Sequence, residues 1–186
     1  FMEGTHNFLD DLKIRASWGQ TGNANGLGLY PSYTLVSTGG LILNNSYQQI
    51  AQLKTIGNTE LTWEHSDMFN VGMDARLLNN RLSFTGEYYV KNTRDILLAM
   101  PVPLEYGFGK PNMNIGQVRN KGWELSLGWN DRVNDFGYSI SANLSDNRNE
   151  VVDLGDTGPW KGSSTYTEVG LPFNSIYGYE SMGLFQ

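Results

Sequence analysis

One short segment carries the residue types of a hydrolytic site. His65, Ser66 and Asp67 are consecutive, and serine, histidine and a carboxylate are the three groups of a nucleophilic triad. In an extended strand, however, His65 and Asp67 point to one face and Ser66 points to the other. A triad would need a serine from elsewhere in the chain. The alternative is that these side chains are solvated and line the water-filled lumen of a β-barrel. We therefore expect no enzyme.

Metal and phosphate chemistry have weak signals. Residues 146–150 read Asp-Asn-Arg-Asn-Glu, which superficially suggests a calcium loop, but the central glycine and distal glutamate of an EF-hand are absent. A loop cation and ordinary loop polarity both stay open there. The Gly-Leu-Gly of 26–28 and the Gly-Phe-Gly of 107–109 lack the following Gly-Lys-Ser/Thr or a dinucleotide-binding context. They are interpreted as loop glycines, and we expect no metal and no cofactor.

Aromatic residues in the connections are the more credible binding groups. Flat rings with a polar edge stack on sugars or grip peptides, and tyrosine keeps a hydroxyl for hydrogen bonding. The alternative is that these rings pack loops onto one another or onto a partner. The candidates for substrate binding are Tyr30, Tyr33, Tyr47, Tyr106, Phe108, Trp160 and Tyr166.

Five segments in which apolar and polar residues alternate must position these groups. In the first segment Leu12, Ile14 and Trp18 share one face, whereas Lys13 and Arg15 share the other. Successive strand side chains point to opposite faces, so each segment predicts a strand with one apolar and one polar surface. The five predicted strands span about 12–19, 63–77, 82–91, 118–130 and 138–145.

The connections between these strands are alternately long and short. The first long one, about 21–61, is predicted to hold a short strand near 33–37 and an irregular or helical stretch near 48–54. Asn79-Asn80 predicts a tight reversal, because asparagine tolerates the positive φ of hairpin turns. The prolines of the second long connection, about 92–116, exclude a central strand there. Residues 131–137 are predicted to form a polar turn before the fifth strand.

The alternation of long and short connections between amphipathic strands predicts an all-β fold. These are antiparallel up-and-down strands from a large transmembrane β-barrel, with short periplasmic turns and long extracellular loops. Trp18 and Tyr88 would then lie near the outer rim, and Trp129 and Tyr138 near the periplasmic rim. Five strands cannot close a barrel, so the chain would be part of one. Residues on the polar face would either line a solute path or form hydrogen-bonded ladders. These lumen-facing candidates are Asp74, Arg76, Glu87, Tyr89, Lys91 and Glu124.

Composition narrows the function classes. The formal net charge of -6 argues against nucleic acid, which needs a clustered basic surface. No apolar run approaches the ~20 residues of a membrane helix. The chain has 0 cysteines, which leaves the redox compartment undetermined. The first four residues do not resemble a signal peptide, and for an exported protein this suggests that the true N-terminus lies elsewhere.

Specific strings resemble a known family. Residues 12–23, LKIRASWGQTGN, resemble the L-K-x-R-x-S-x-G-x-T-G-N segment of SusC/RagA-type TonB-dependent transporters, outer-membrane importers of the Bacteroidetes. Further strings follow in the family's order: LTWE at 61–64, NNRL at 79–82, YY at 88–89 with Lys91, PVP at 101–103, NIG at 114–116 and NKGWE at 120–124. The last are GLP at 170–172, SIYGY at 175–179 and GLFQ at 183–186.

The resemblance implies that residues 1–186 are a partial TonB-dependent receptor β-barrel domain, cut from a plugged barrel of about 22 strands. It implies that this chain holds no plug, TonB box or signal peptide and supplies barrel wall and outer loops. Outer-membrane lipid would surround it. An intact importer of this kind is expected to capture oligosaccharide, or less often peptide, with a SusD-like surface lipoprotein, and to couple to TonB through the missing N-terminal part. The alternative is a secreted β-sandwich module that binds carbohydrate.

Overall fold

The computed structural model describes residues 8–100, 102–107, 109–181 and 183 of the chain. The five long strands are β1 (Leu9–Asn23), β4 (Glu64–Leu77), β5 (Leu82–Arg94), β8 (Gln117–Val133) and β9 (Phe136–Asp153). They form one sheet in the order β1-β4-β5-β8-β9, so each long strand pairs with the next long strand along the chain. This antiparallel up-and-down arrangement confirms the predicted topology.

Shorter strands occupy the three long connections. β2 pairs with β3 in the first connection and β6 with β7 in the second, while β10, β11 and β12 form a small sheet in the third. Single 3-10 turns lie at Leu104–Tyr106 and Gly155–Thr157. The short strands are β2 (Leu35–Leu43), β3 (Ser46–Thr55), β6 (Leu97–Ala99), β7 (Asn112–Asn114), β10 (Trp160–Lys161), β11 (Thr165–Thr167) and β12 (Ser175–Ile176).

The expectation of an irregular or helical stretch near 48–54 is wrong. Those residues belong to β3, which pairs antiparallel with β2 from Leu43↔Ser46 onward. Asn44 and Asn45 join the two strands with φ of 48° and 60°, the left-handed conformation that a two-residue hairpin turn requires. The Asn-Asn pair was therefore a hairpin signal of the same kind as Asn79-Asn80, whose φ values are also positive.

The long strands reach beyond the segments in which the sequence alternates. Residues 146–150 lie inside β9 and not in a loop, so the calcium-loop comparison does not apply to them. The turn predicted at 131–137 shrinks to Asn134 and Asp135 between β8 and β9. Over residues 146–150 polar residues occupy both faces of the strand, and a stretch of strand without an apolar face resembles a loop in sequence.

The sheet leaves its apolar rows exposed. We call the surface that carries Phe69, Val71 and Leu125 the apolar face, and the surface that carries Arg15 and Asp74 the polar face. On the apolar face Ile14 is 72% exposed, Ile140 63% and Phe69 47%. A soluble sandwich buries such rows against a second sheet, whereas a barrel wall presents them to lipid. The exposed rows therefore favour the barrel.

The chain divides into two compact units. The first comprises residues 1–20, 67–92 and 119–150, which are the bodies of the five long strands. The second comprises residues 21–66, 93–118 and 151–186, which include the three long connections. Among the described residues of the second unit, the buried hydrophobic side chains are Val151 and Leu154. None of the helical turns in the described ranges is long and apolar enough to cross a membrane.

Candidate functional site

An ionic network ties three strands together on the polar face. Nε of Arg15 lies 2.9 Å from Oδ2 of Asp74, and Nη2 of Arg15 lies 3.5 Å from Oε2 of Glu87. Thr85 donates its hydroxyl hydrogen to Asp74 at 3.1 Å, and the amide of Asn70 donates to Glu87. Two of the lumen-facing candidates, Asp74 and Glu87, thus form a ladder across β1, β4 and β5. Their partner Arg15 was not among the candidates.

Two glycines make room for long side chains on this face. A Cβ atom at Gly72 would lie 3.0 Å from Nη2 of Arg15, so the guanidinium crosses the β4 backbone where no side chain stands. A Cβ atom at Gly122 would lie 2.7 Å from the hydroxyl of Tyr89, so that ring covers the glycine of the neighbouring strand. Tyr89 therefore packs on the wall.

The three remaining lumen-facing candidates are more exposed than Asp74, Glu87 and Tyr89. Arg76, Lys91 and Glu124 lie on strands β4, β5 and β8 and are exposed. Strand alternation puts Arg76 on the same face as Asp74, and Lys91 on the same face as Glu87. These three charged side chains are accessible to a solute on the polar face, in contrast to the packed ring of Tyr89.

Asn114 joins the first and second long connections. Its side-chain oxygen accepts the Thr62 amide hydrogen at 2.8 Å, and its Nδ2 donates to the carbonyl oxygens of Thr62 and Asp95, each at 2.8 Å. A second contact runs from the Gly109 amide to the Lys54 carbonyl oxygen at 2.8 Å. The two connections are thereby held in a fixed relation, which a binding surface built from loops needs.

Three tyrosine candidates lie in the first connection. Tyr30 and Tyr33 form an edge-to-face pair with ring centroids 6.1 Å apart, and the Tyr33 amide donates to the Tyr30 carbonyl oxygen at 3.1 Å. Both rings are about two-thirds exposed, at 69% and 66%. Tyr47 lies apart from this pair on β3, where its ring packs over Gly40 of β2. The pair offers an open aromatic surface.

The third connection contains a second aromatic group. Tyr166 of β11 lies against Tyr177 with ring centroids 5.8 Å apart. Nζ of Lys161 lies 4.4 Å from the centroid of the Tyr177 ring and donates to its hydroxyl at 2.9 Å. The candidate Trp160 donates its indole hydrogen to the Thr157 carbonyl oxygen at 2.9 Å, which directs it back into the loop.

Sequence reasoning missed two members of this group. Tyr177 and Lys161 were not among the candidates, although Tyr177 stands in the SIYGY string at 175–179. Partial burial, followed by the negative charge of Glu168, raises the pKa of the Tyr166 phenol. A side-chain hydrogen bond between the Tyr166 phenol and Glu168 contributes to the same shift. The pairing of β10 with β11 and of β11 with β12 brings these residues together.

Two further aromatic candidates belong to the second connection. Tyr106 ends the 3-10 turn Leu104–Tyr106 and is 64% exposed. Phe108 lies outside the described residues. The second connection therefore adds one exposed ring, Tyr106, to those of the first and third.

The triad-like segment does not form a triad. Nδ1 of His65 lies 3.2 Å from Oδ2 of Asp95, whereas Asp67 accepts a hydrogen bond from Gln20 at 2.9 Å. The Ser66 hydroxyl lies 3.1 Å from that of Thr93. Strand alternation also places His65 and Asp67 with Phe69 on the apolar face, and so corrects their interpretation as lumen residues. Within the described ranges, no group of three or more potential metal ligands stands together.

Polar pairs lie at one end of the apolar face. Gln20 and Asp67 form one pair, Nε of Arg119 donates to Asn92 at 2.9 Å, and Nε of Arg148 donates to Asp146 at 3.1 Å. All three pairs follow the last apolar residue of their strands toward the long connections. Near the opposite end, the indole of Trp129 donates to the Tyr138 hydroxyl at 3.4 Å. The apolar band is thus bounded at both ends.

Comparison with protein families gives a match along nearly the whole chain. Residues 5–182 match the family described as "TonB dependent receptor-like, beta-barrel". The TonB-dependent receptor P39 of Formosa agariphila is 37% identical over 180 residues, covering 96% of this chain and 17% of that protein. The TonB-dependent receptor SusC of Bacteroides thetaiotaomicron is 30% identical over 203 residues, covering 95% and 19%.

Solved structures give the same result. The RagAB peptide transporter structure matches with a TM-score of 0.80 and 33% identity, covering 95% of this chain and 19% of the matched chain. The RagAB peptide importer in its open-open state matches with a TM-score of 0.78 and 32% identity, covering 94% and 19%. The chain therefore spans about a fifth of the length of the proteins it matches.

Proposed function

Because this chain belongs to the TonB-dependent receptor β-barrel family, whose members are outer-membrane transporters, we propose that it supplies wall and outer loops to an importer of oligosaccharides. The long connections are the extracellular, substrate-facing side, and the polar face lines the lumen. The family is one of transporters, so in this proposal the chain makes and breaks no covalent bond.

The observation that carries the cargo proposal is the pairing of aromatic rings in two outer connections. The Tyr30–Tyr33 pair is exposed, and the Tyr166–Tyr177 pair has the Lys161 ammonium beside it. Exposed rings with hydroxyl edges stack on the apolar faces of sugar rings, while hydroxyls and an ammonium hydrogen-bond to sugar oxygens.

A peptide cargo is the second candidate. The supporting observation is the similarity to the RagAB peptide transporter at 33% identity. The same tyrosines would then grip peptide side chains, and Lys161 would bind a carboxylate. The two candidates require the same loops and differ in the solute that those loops retain.

Two partners follow from the family resemblance. A SusD-like surface lipoprotein would cover the outer loops during capture, and TonB would act through the N-terminal part of the whole protein. The third connection has exposed apolar surface suited to such a lipoprotein, since Ile176 is 97% exposed and Tyr179 96%. Such surface is costly to leave in water and is typical of a binding interface.

The test is growth of the source bacterium after deletion of the full-length gene. We expect loss of growth on one polysaccharide as sole carbon source, with normal growth on peptide. The intact gene should restore growth, whereas Tyr30→Ala/Tyr33→Ala or Tyr166→Ala/Tyr177→Ala should not. The matched Tyr→Phe variants keep the rings and should restore most growth. A defect confined to peptide medium would instead establish the second candidate.

A further inference from the structure

Two neighbouring cavities lie on the apolar face. The first has a volume of ≈ 390 Å³ and opens over Gly86, between apolar side chains that include Val71, Met73 and Leu125. The second has a volume of ≈ 280 Å³ and contains Lys121, Asp146 and Arg148. Tyr88 and Trp123 line both cavities. An elongated molecule can therefore pass from the apolar cavity into the charged one.

Gly86 creates the apolar cavity. Its row on β5 has aromatic side chains on both sides, Phe84 and Tyr88, and the glycine leaves a gap between them. A Cβ atom at Gly86 would lie 3.1 Å from Cζ of Phe84 and 3.4 Å from Cδ2 of Leu125, so these two side chains close in over the glycine and form walls of the cavity. On a wall that faces lipid, an apolar gap of this kind accepts a hydrocarbon chain.

The charged cavity lies toward the long connections, which is the outer-leaflet side of the wall. Lys121 precedes Trp123 on the same face of β8, and Arg148 is 75% exposed. Asp146 accepts a hydrogen bond from Nε of Arg148 at 3.1 Å, which orients the guanidinium and leaves its terminal nitrogens able to donate. Two cations against one anion give this cavity a net positive charge, and basic residues at this depth attract anionic headgroups.

We propose that this outward wall binds a phosphorylated lipid of the outer leaflet. One acyl chain lies in the cavity over Gly86, the rings of Tyr88 and Trp123 border the glycerol or sugar region, and the phosphate lies between Lys121 and Arg148. This site is on the opposite face of the sheet from the cargo path. The lipid site rests on the proposed orientation of the apolar face toward the membrane, with the long connections on the extracellular side. It does not depend on whether the cargo is an oligosaccharide or a peptide.

The test uses the full-length protein in detergent and native mass spectrometry with monophosphorylated lipid A as the probe. We expect Lys121→Gln/Arg148→Gln to lower the affinity roughly ten-fold or more, since two charge-assisted contacts are lost. The matched control, Lys13→Gln, removes an exposed cation from the polar face and should leave the affinity unchanged. Both substituted sites are exposed, and heat-modifiable gel mobility verifies that each variant is folded.

Two comparisons separate a lipid site from a site for free phosphate. The deacylated headgroup should bind at least roughly ten-fold more weakly than the intact lipid, because the apolar cavity contributes through buried CH₂ groups. Inorganic phosphate should fail to displace the lipid. Equal lipid affinity in the Lys121→Gln/Arg148→Gln variant would overturn the proposal. Displacement by phosphate, or equal binding of the deacylated headgroup, would also overturn it.

Discussion

Arg15 of β1 reaches across Gly72 of β4 and contacts carboxylates on two strands. Its Nε lies 2.9 Å from Oδ2 of Asp74, and its Nη2 lies 3.5 Å from Oε2 of Glu87 on β5. One side chain thereby contacts two carboxylates and joins three neighbouring strands. The glycine is part of this arrangement, because the guanidinium occupies the space in which a side chain would stand.

Replacing Gly72 by alanine is expected to displace Arg15. The new Cβ would lie 3.0 Å from Nη2, so the guanidinium must move away from Asp74 or Glu87. We expect a loss of about 1 kcal/mol of stability, since the side chains of Arg15 and Asp74 are 38% and 36% exposed and solvent screens their ion pair. Urea unfolding of the full-length barrel, followed by gel mobility, measures the change. The control is Lys13→Ala, which removes a charge from an exposed position of β1, the strand that carries Arg15. This substitution should cost less stability than the replacement of Gly72.

The assignment of the apolar face to lipid predicts different results for two adjacent positions. Leu125→Arg places a charge on the lipid face and should cost ~2–4 kcal/mol at mid-bilayer, which reduces insertion into the outer membrane. Ser126→Arg places the same charge on the polar face and should be milder. The measurement is the folded, heat-modifiable fraction in outer-membrane preparations. Equal insertion of the two variants would contradict the assignment.

Substituting Asn114 should loosen the contact between the first two connections. Asn114→Ala removes the hydrogen bonds to Thr62 and to the Asp95 carbonyl oxygen, and leaves the Thr62 amide without its acceptor. We expect faster hydrogen exchange at Thr62 and greater protease sensitivity of both connections, with little change in the wall. Asn112→Ala is the matched control, because Asn112 accepts from Asn58 through its backbone carbonyl. Unchanged exchange in Asn114→Ala would contradict this prediction.

Tyr166 should titrate above the ordinary tyrosine range. Partial burial and the carboxylate of Glu168 raise the pKa of its phenol, so the protonated form is favoured in the folded loop. The stability that the protonated Tyr166 phenol contributes is fully present below about pH 10, the pKa of tyrosine in the unfolded chain. That stability is lost as the pH rises through the higher pKa of the phenol in the folded chain. The ultraviolet difference spectrum between wild type and Tyr166→Phe measures that pKa. Glu168→Gln should lower it, and an unchanged value would contradict the role of Glu168.

The sequence predicted the five long strands of the wall better than the long connections between them, and the reason is physical. Alternation arises where the two faces of a strand meet different surroundings, as in a barrel wall with lipid on one side and water on the other. Over residues 146–150 both faces of β9 are polar, so the strand continues there without its pattern and was interpreted as a loop. Gln48 and its neighbours in β3 belong to an exposed hairpin that has no apolar face to reveal its period. The Asn44-Asn45 turn was the stronger local signal there.

The sequence predicted which residue types the candidate site contains, but it did not predict which of those residues contact one another. The sequence indicated that aromatic residues fill the connections, and Tyr30 and Tyr33 are close enough along the chain to be expected together. The contact of Tyr166 with Tyr177 depends on the pairing of β11 with β12, and strands this short have no periodicity. Likewise, Arg15 is 59 residues from Asp74 in the chain, and only the sheet order brings the two together.

The β2–β3 hairpin completes its own backbone hydrogen bonding from Leu43↔Ser46 to Leu35↔Thr55. The two long strands beside this insertion, β1 and β4, pair directly with each other. Lengthening, shortening or exchanging the hairpin therefore leaves the register of the wall intact. Such an exchange therefore changes the surface of the first connection without changing the pairing of the strands that lie in the membrane.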